Sequence, residues 1–422
     1  MNIGKALRRL GPWATFEYLV NPLFTILSTP LIIKFTGLRG FSSWIIFITS
    51  IAFGVALVSG ISIALGRYIS ANKSDQHLCQ RAKLDALHLM LGGSFFASII
   101  SVTIFYVSDG ELSISIFDLN LIFLTIGFAT IFDCFDTIFN GILKGNLRYG
   151  TSAKTEAIAR FIQICLILPT VSLTGSIIAL FYASCLGSFI RFFIRMQACN
   201  LQNFNLSIIF KHRLQKSSPI IPSAKWVSIQ NIGGALYVSF DKFIISIAFG
   251  SSTLALYATA SQLTNQIQSV LGAAFSVLSN SAATQTSSSE LQNSIKKCLS
   301  LTFWVAIGSS LTYAIFYIFN QHIFTAWVGA QTAKELGVYV PVVAFAALLQ
   351  TISIPAYFYL IGRAKFKLVA VTGILSSVVS ILFLILSSIY FDPQSALISR
   401  ATYGFCLLFY VYHLINLKLN NQ

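Results

Sequence analysis

The chain has 422 residues, of which 55% are hydrophobic and only 10% are charged, and its formal net charge is +15. Soluble globular proteins contain about 25% Asp, Glu, Lys and Arg, and the mean hydropathy here is +0.76. This composition excludes a soluble enzyme, a disordered chain and a secreted disulfide scaffold. It indicates an all-α polytopic membrane protein.

The predicted elements are transmembrane helices, each of which needs about 20 apolar residues. Twelve runs qualify, namely residues 11–34, 41–65, 86–108, 118–142, 157–174, 176–198, 224–249, 253–283, 298–320, 337–361, 367–390 and 394–416. The longest polar stretch separates six spans from six. We therefore predict an N-terminal six-helix lobe at 1–198, a cytoplasmic basic linker at 199–223 and a C-terminal six-helix lobe at 224–422. No room remains for a soluble catalytic domain, and we find no nucleotide-binding loop, zinc spacing or catalytic triad pattern.

Lys and Arg residues concentrate on one side of the membrane when the loops are assigned from these spans. With the N-terminus inside, 23 of the 28 basic residues lie on the cytoplasmic side and 3 on the other. The remaining two fall within spans. The larger group includes Arg160, Arg191 and Arg195. Cytoplasmic loops carry an excess of Lys and Arg, so we predict that both termini are cytoplasmic.

Two short matches relate the halves of the chain. The ends of spans 1 and 7 align when Gly37 is placed on Gly250, and the ends of spans 4 and 10 align when Gly145 is placed on Gly362. The two offsets, 213 and 217 residues, agree closely. Both halves start on the same side, so the repeat predicts two lobes related by a pseudo-two-fold axis along the membrane normal, an architecture found in transporters.

Span 4 contains two acids near mid-membrane. Asp133, Asp136, Asn140 and Lys144 fall within an arc of about 80° on a helix that turns by about 100° per residue. Because charges deep in a bilayer rarely face lipid, we expect this stripe to line an interior cavity. One interpretation is that an acid takes up protons during transport. The other is that both acids are structural and pair with Lys144 or with a neighbouring helix.

Span 1 carries Glu17 and Asn21 on one face, and it also contains Pro22 and Pro30. Proline removes a backbone donor and kinks a helix. This pattern fits a bent, cavity-lining helix that changes shape during transport. The alternative is that Glu17 lies at the cytoplasmic interface and is simply hydrated.

Spans 7 and 8 supply further polar candidates. Asp241 and Lys242 are adjacent and point about 100° apart, so one of them is expected to pair with another helix. Lys242 could contribute positive potential for an anionic headgroup, and an interfacial ion pair is the alternative. Span 8 places Gln262 and Gln266 on one face, where amides can hydrogen-bond sugar hydroxyls or join helices.

Two arginines are candidates for binding a diphosphate. Arg400 lies about one turn inside span 12, and we expect its side chain to snorkel to the outer face; Arg160 is expected to snorkel to the cytoplasm. Guanidinium matches phosphate oxygens in bidentate geometry, so either could hold a phosphate group.

Three segments together resemble one known family. The segment 241–258 is similar to the opening of the second lobe in polysaccharide flippases, and GILKGNLRYG at 141–150 is similar to the cytoplasmic end of their span 4. Residues 30–40 followed by Trp44 resemble the first-lobe signature. On these segments the whole chain resembles the O-antigen flippases (Wzx) of the multidrug/oligosaccharidyl-lipid/polysaccharide (MOP) exporter superfamily.

The resemblance implies a bacterial inner-membrane protein of lipopolysaccharide biosynthesis. Such a protein moves an undecaprenyl-diphosphate-linked oligosaccharide (O-antigen) repeat unit from the cytoplasmic to the periplasmic leaflet by alternating access. The resemblance implies coupling to protons or sodium ions, no cofactor and no nucleic acid. Membrane lipids, the polysaccharide polymerase and the chain-length regulator are further candidate partners. It also implies a partly cationic lumen. The acids within the spans of this chain differ from that pattern.

Two other classes stay open at this point. The first is an ion-coupled small-molecule or multidrug antiporter of the same superfamily, in which the acids would bind a cation. The second is a membrane-embedded polymerase or glycosyltransferase, against which the short outer loops argue. Capsule and exopolysaccharide pathways also use flippases of this architecture, so the pathway is open too.

Overall fold

The computed structural model describes residues 3–72, 75–108, 116–199, 220–275, 288–363 and 365–419, which contain helices and no strand. The helices in chain order are α1 (Ile3–Ala71), α2 (Gln76–Ser108), α3 (Ile116–Gly145), α4 (Tyr149–Thr174), α5 (Ile177–Ala198), α6 (Ile220–Ala235), α7 (Asp241–Phe275), α8 (Ser288–Val328), α9 (Ala330–Leu336), α10 (Val340–Gly362), α11 (Phe366–Tyr390), α12 (Pro393–Ala396), α13 (Ser399–Leu407) and α14 (Phe409–Leu419). A five-residue π-helix, Leu236–Phe240, joins α6 to α7.

Nine helices of the described residues are long and apolar enough to cross a membrane. Two of them, Leu23–Ser70 with 48 residues and Ile220–Val270 with 51, are long enough for two crossings each. The last predicted span is divided between α13 and α14 at Leu408, so neither piece is a continuous crossing. Each of the twelve predicted runs is thus represented by a helical segment, although 276–283 lies outside the described residues. The predicted class, an all-α polytopic membrane protein with twelve spans, is confirmed.

The two double-length helices each break at one glycine. Gly37 in α1 has φ 72° and ψ 178°, and Gly250 in α7 has φ 84° and ψ 173°. This conformation is open essentially only to glycine. Gly37 therefore separates spans 1 and 2, and Gly250 separates spans 7 and 8.

The chain divides into two compact units. One, the first unit, is Leu23–Ala235; the other, the second unit, is Met1–Pro22 together with Leu236–Gln422. The boundary between the units that follows Ala235 coincides with the start of the π-helix at Leu236. The predicted linker at 199–223 lies mostly outside the described residues.

Small residues let two helices of the first unit approach each other closely. A Cβ added to Gly141 on α3 would lie 2.6 Å from the backbone oxygen of Ser62 on α1. The Ser62 hydroxyl donates to the carbonyl of Thr137. Eight residues further along both helices, the Ser70 hydroxyl donates to the carbonyl of Gly145 at 3.0 Å. The second half of α1 and the end of α3 therefore pack backbone against backbone.

The core of the second unit is rich in tyrosine. Its buried members include Tyr237, Tyr359, Tyr403, Tyr410, Leu360, Leu407 and Leu414. A buried tyrosine needs a partner for its hydroxyl, and Tyr410 donates to the carbonyl of Val369 at 2.9 Å. This core places polar groups inside an otherwise apolar unit, where they form the second of the two sites described next.

Candidate functional site: two buried charged clusters

The first unit holds six charged side chains from three consecutive helices, which we call the first-unit ion cluster. Its members are Asp133 and Asp136 on α3, Glu156 and Arg160 on α4, and Arg191 and Arg195 on α5. Each helix contributes two residues that are three or four positions apart, which puts both on the same face.

Short ion pairs connect α5 to the other two helices. Arg191 Nη2 is 2.5 Å from Asp133 Oδ1. Arg195 Nη1 is 2.5 Å from Asp136 Oδ2, and its Nη2 is 2.5 Å from Glu156 Oε2. Arg195 therefore bridges α3 and α4 with one guanidinium fork, a geometry that arginine is suited to.

The remaining contacts join all six groups into one network. Arg191 also lies 3.5 Å from Asp136 and 4.0 Å from Glu156. Arg160 Nε is 2.8 Å from Glu156. Three carboxylates face three guanidinium groups, so the cluster is formally neutral. Pairing of this kind offsets part of the cost of taking charges out of water.

Arg160 is anchored on its other side as well. Its Nη1 donates to Gln163 Oε1 at 2.9 Å, and its guanidinium lies 5.5 Å from the ring centre of Phe24. The guanidinium is therefore held inside the cluster, and the expectation that it snorkels to the cytoplasm is wrong.

The acids of span 4 pair with a neighbouring helix, which was one of the two interpretations. Their partners are the arginines of α5 rather than Lys144, which lies in the last turn of α3. Asn140 does not join the acids either; it accepts a hydrogen bond from Ser152 at 2.6 Å. The predicted stripe thus contacts α5 through its acids and α4 through Asn140.

Sequence reasoning missed Glu156, and it assigned the two α5 arginines to the cytoplasmic side as loop charges. Arg191 and Arg195 lie inside α5, and the side chain of Arg195 is only 4% exposed. The available signal was their spacing: two arginines four residues apart within an apolar run need buried acids. Together with Arg160, three basic residues leave the predicted cytoplasmic group, which falls from 23 to 20 against 3 on the other side.

The second unit holds a different cluster around Asp241 and Arg400, which we call the second-unit cluster. Tyr257 donates its hydroxyl proton to Asp241 Oδ2. Arg400 Nε donates to the Tyr237 hydroxyl at 2.8 Å and lies 3.6 Å from Asp241 Oδ2. The guanidinium also lies 5.1 Å and 5.4 Å from the ring centres of Tyr237 and Tyr257, within cation–π range.

Tyr237 lies at the centre of this cluster because of the π-helix that carries it. Its hydroxyl also accepts from Gln350 Nε2 at 2.6 Å, and Gln268 Nε2 in turn donates to Gln350 Oε1 at 3.2 Å. Its ring stacks on Tyr403 with 3.6 Å between the ring centres. π-helical turns are frequent at functional sites, and here Tyr237 of the turn contacts α10 and α13 directly and is linked to α7 through Gln350.

The structure brings together Asp241, Lys242 and Arg400, three residues singled out from the sequence. Asp241 is the residue that pairs with other helical segments, while Lys242 Nζ donates to the carbonyl of Val238 and lies 4.0 Å from Asp241 Oδ1. Arg400 is only 3% exposed. The expectation that Arg400 snorkels to the outer face is therefore wrong.

The other predicted residues fall elsewhere. Gln262 and Gln266 are partly buried on α7. A different amide of α7, Gln268, is linked to the second-unit cluster by its hydrogen bond to Gln350. The side chains of Glu17 and Asn21 lie outside the described residues, so their predicted role stays a prediction.

Comparison with known proteins places the chain in a family. The family model for "polysaccharide biosynthesis protein" matches residues 46–307. No curated protein matches significantly.

Several solved structures share the fold. A MATE protein in complex with MaL6 superimposes with a TM-score of 0.73 at 14% identity, covering 99% of this chain and 98% of that one. An inward-facing multidrug resistance MATE transporter of the MOP superfamily gives 0.71 at 12% identity, with 96% and 99% covered. A MOP-superfamily transporter from Pyrococcus furiosus gives 0.70 at 13% identity, with 99% and 97% covered. Because the family model covers more than half of the chain, the protein belongs to the polysaccharide biosynthesis protein family, and its fold is that of the MOP-superfamily transporters.

Proposed function

We propose that this protein is a flippase for a lipid-linked glycan. It would move an undecaprenyl-diphosphate-linked oligosaccharide (O-antigen) repeat unit from the cytoplasmic to the periplasmic leaflet of the inner membrane by alternating access, with both termini cytoplasmic. The observation that carries the proposal is the joint match to a polysaccharide biosynthesis family and to the transporter fold. A transporter, and not an enzyme, of polysaccharide biosynthesis is the simplest function that satisfies both.

The buried charges support transport of a charged substrate. A purely structural membrane protein has no need of nine ionisable side chains inside its helices, because each is costly in a bilayer. The six of the first-unit ion cluster and the three of the second-unit cluster are all largely buried. Arginine is the residue best suited to a diphosphate, and Arg400 of the second-unit cluster shares its one acid, Asp241, with Lys242.

A small-molecule or multidrug antiporter of the same superfamily is the competing proposal. The three acids of the first-unit ion cluster are each paired with arginine at 2.8 Å or less, so that cluster has no excess negative charge to attract a cationic drug. This favours the flippase. A membrane-embedded polymerase or glycosyltransferase is less well supported, because the outer loops predicted from the sequence are short.

Deletion of the gene, followed by extraction of lipid-linked intermediates, tests the proposal. We expect loss of surface polysaccharide and accumulation of single undecaprenyl-diphosphate-linked units that stay inaccessible from the periplasm, with recovery when the intact gene is returned. A missing polymerase would instead leave single units on the surface. Intact surface glycan together with new drug sensitivity would favour the antiporter.

Ion coupling is the second part of the proposal, and Asp133 and Asp136 are its candidates. The double substitution to Ala is expected to abolish surface glycan, and the amount of folded protein in the membrane is measured beside it because the change removes acids that pair with Arg191 and Arg195. Glu335→Ala, which removes an exposed acid of α9, is the matched control. Normal glycan in the double variant would exclude coupling through these acids, and loss of the protein itself would assign them a structural role.

A further inference from the structure

The charges of the second-unit cluster do not balance. Among the described residues, Asp241 is the one acid paired with either Arg400 or Lys242. The three side chains are 5%, 4% and 12% exposed respectively. One carboxylate therefore faces a buried arginine and a partly buried lysine, whereas the first-unit ion cluster matches three acids with three arginines.

The carboxylate of Asp241 is also occupied by other donors. Its Oδ1 accepts the backbone N–H of Lys242 at 2.7 Å, and its Oδ2 accepts the hydroxyl of Tyr257. Arg400 Nε stands 3.6 Å away and Lys242 Nζ 4.0 Å away, both beyond hydrogen-bond distance. The acid attracts the two cations without accepting a hydrogen bond from the side chain of either.

Arg400 has such a free donor. Its Nε is held by Tyr237, but its Nη1 is buried and has no hydrogen-bond partner among the described residues. An unpartnered donor on a buried cation is costly. Lys242 carries three N–H donors, of which the described hydrogen bonds direct one to the carbonyl of Val238.

We propose that Arg400 and Lys242 form an anion site in the second unit, and that its ligand is a phosphate-type oxyanion. Such an anion would satisfy Arg400 Nη1, take up the free donors of Lys242 and offset the excess positive charge of the cluster. The phosphate group could belong to a lipid headgroup or to free phosphate. Its assignment to the diphosphate of the lipid carrier rests on the proposed function, whereas the anion site itself does not.

Binding of two defined probes to the full-length protein tests this site. The protein is placed in nanodiscs of zwitterionic phosphatidylcholine and titrated with inorganic diphosphate and, separately, with undecaprenyl diphosphate. Arg400→Gln and Lys242→Gln are each expected to weaken binding by at least about tenfold, the usual value of a charge-assisted hydrogen bond. Asp241→Asn is expected to strengthen it, because it removes the competing negative charge. Arg39→Gln, at an exposed arginine of α1, should leave affinity unchanged.

The opposite signs of these effects separate an anion site from an ordinary ion pair. Unchanged affinity in Arg400→Gln and Lys242→Gln, or weaker binding in Asp241→Asn, would overturn the proposal. If Arg400→Gln does not fold, two other variants test the site. Arg400→Lys keeps a positive charge but loses the forked guanidinium donors, and Lys242→Gln changes a more exposed side chain. Both should still weaken binding. Binding of both probes supports the site and identifies phosphate chemistry, and binding of the lipid alone identifies the carrier.

Failure of the proposed function has a different signature. A deletion strain with intact surface glycan would refute the flippase, while the affinity changes of the variants would still establish the anion site. Conversely, accumulation of lipid-linked units in that strain together with unchanged affinities would refute the anion site alone.

Discussion

Gly37 and Gly250 adopt nearly the same backbone conformation at equivalent places in the two halves of the chain. Their φ and ψ angles are 72° and 178° at Gly37 and 84° and 173° at Gly250. They also form one of the two glycine pairs that the internal repeat aligns. Each lets the chain turn between two spans without a connecting loop, so the repeat is preserved in backbone conformation as well as in residue type.

Substituting these glycines by Ala should destabilise the protein through backbone strain, which acts alone at Gly37. A Cβ on Gly37 meets nothing within 4 Å, so no clash accompanies the change, and the cost is that of a residue held in a glycine-only region, about 1–3 kcal/mol. We expect Gly37→Ala and Gly250→Ala to lower the melting temperature in detergent. Gly92→Ala is the control, because Gly92 is helical and also has open space around it; equal behaviour of all three would refute the strain argument.

The pair of Asp136 and Arg195 should show strong coupling. Asp136→Asn leaves Arg195 with Glu156 as its remaining acid in the cluster, and breaking a buried pair from one side costs about 3–5 kcal/mol. Adding Arg195→Gln restores the neutrality of the cluster. The double variant should therefore lose less unfolding free energy than the two single variants lose in sum. A double-mutant cycle on unfolding free energies measures this coupling, and purely additive effects would contradict it.

Tyr237→Phe should weaken the second unit without disturbing its stacking. The substitution removes the acceptor of Arg400 and Gln350 but keeps the ring that stacks on Tyr403. Each buried donor left unpaired costs about 1–3 kcal/mol, so the melting temperature should fall. Tyr390→Phe, at a side chain that is 77% exposed, should have no effect. If Tyr237→Phe is equally silent, the hydroxyl is not the centre of the cluster.

Gly141→Ala should separate two helices of the first unit. The new methyl group would lie 2.6 Å from a backbone oxygen of Ser62, which cannot move as a side chain can, and overpacking of this kind costs about 1–3 kcal/mol. We expect less folded protein after detergent extraction, measured as the monodisperse fraction in size-exclusion chromatography. Gly308→Ala has open space around the new Cβ and should behave as the unchanged protein does; similar losses in both would show that the close approach is tolerated.

Pairing within the clusters was beyond sequence reasoning for a physical reason. Arg400 and Tyr237 are 163 positions apart in the chain, and Arg191 and Asp133 are 58 apart. Spacing within one helix shows which residues share a face, but it does not show which face of another helix lies opposite. The sequence therefore indicated Asp133 and Asp136 as a pair on one face and left their partners open.

The sequence by itself determined the membrane class, the helical segments and the two glycine breaks. These follow from local properties: the length of an apolar run must match the thickness of the bilayer, and an unusual backbone conformation requires glycine at that position. Only the tertiary structure decided that three arginines neutralise three acids in the first unit while two cations share one acid in the second. That difference depends on which helix faces pack together, because the charge of a buried site is the sum over side chains that meet only when the chain has folded.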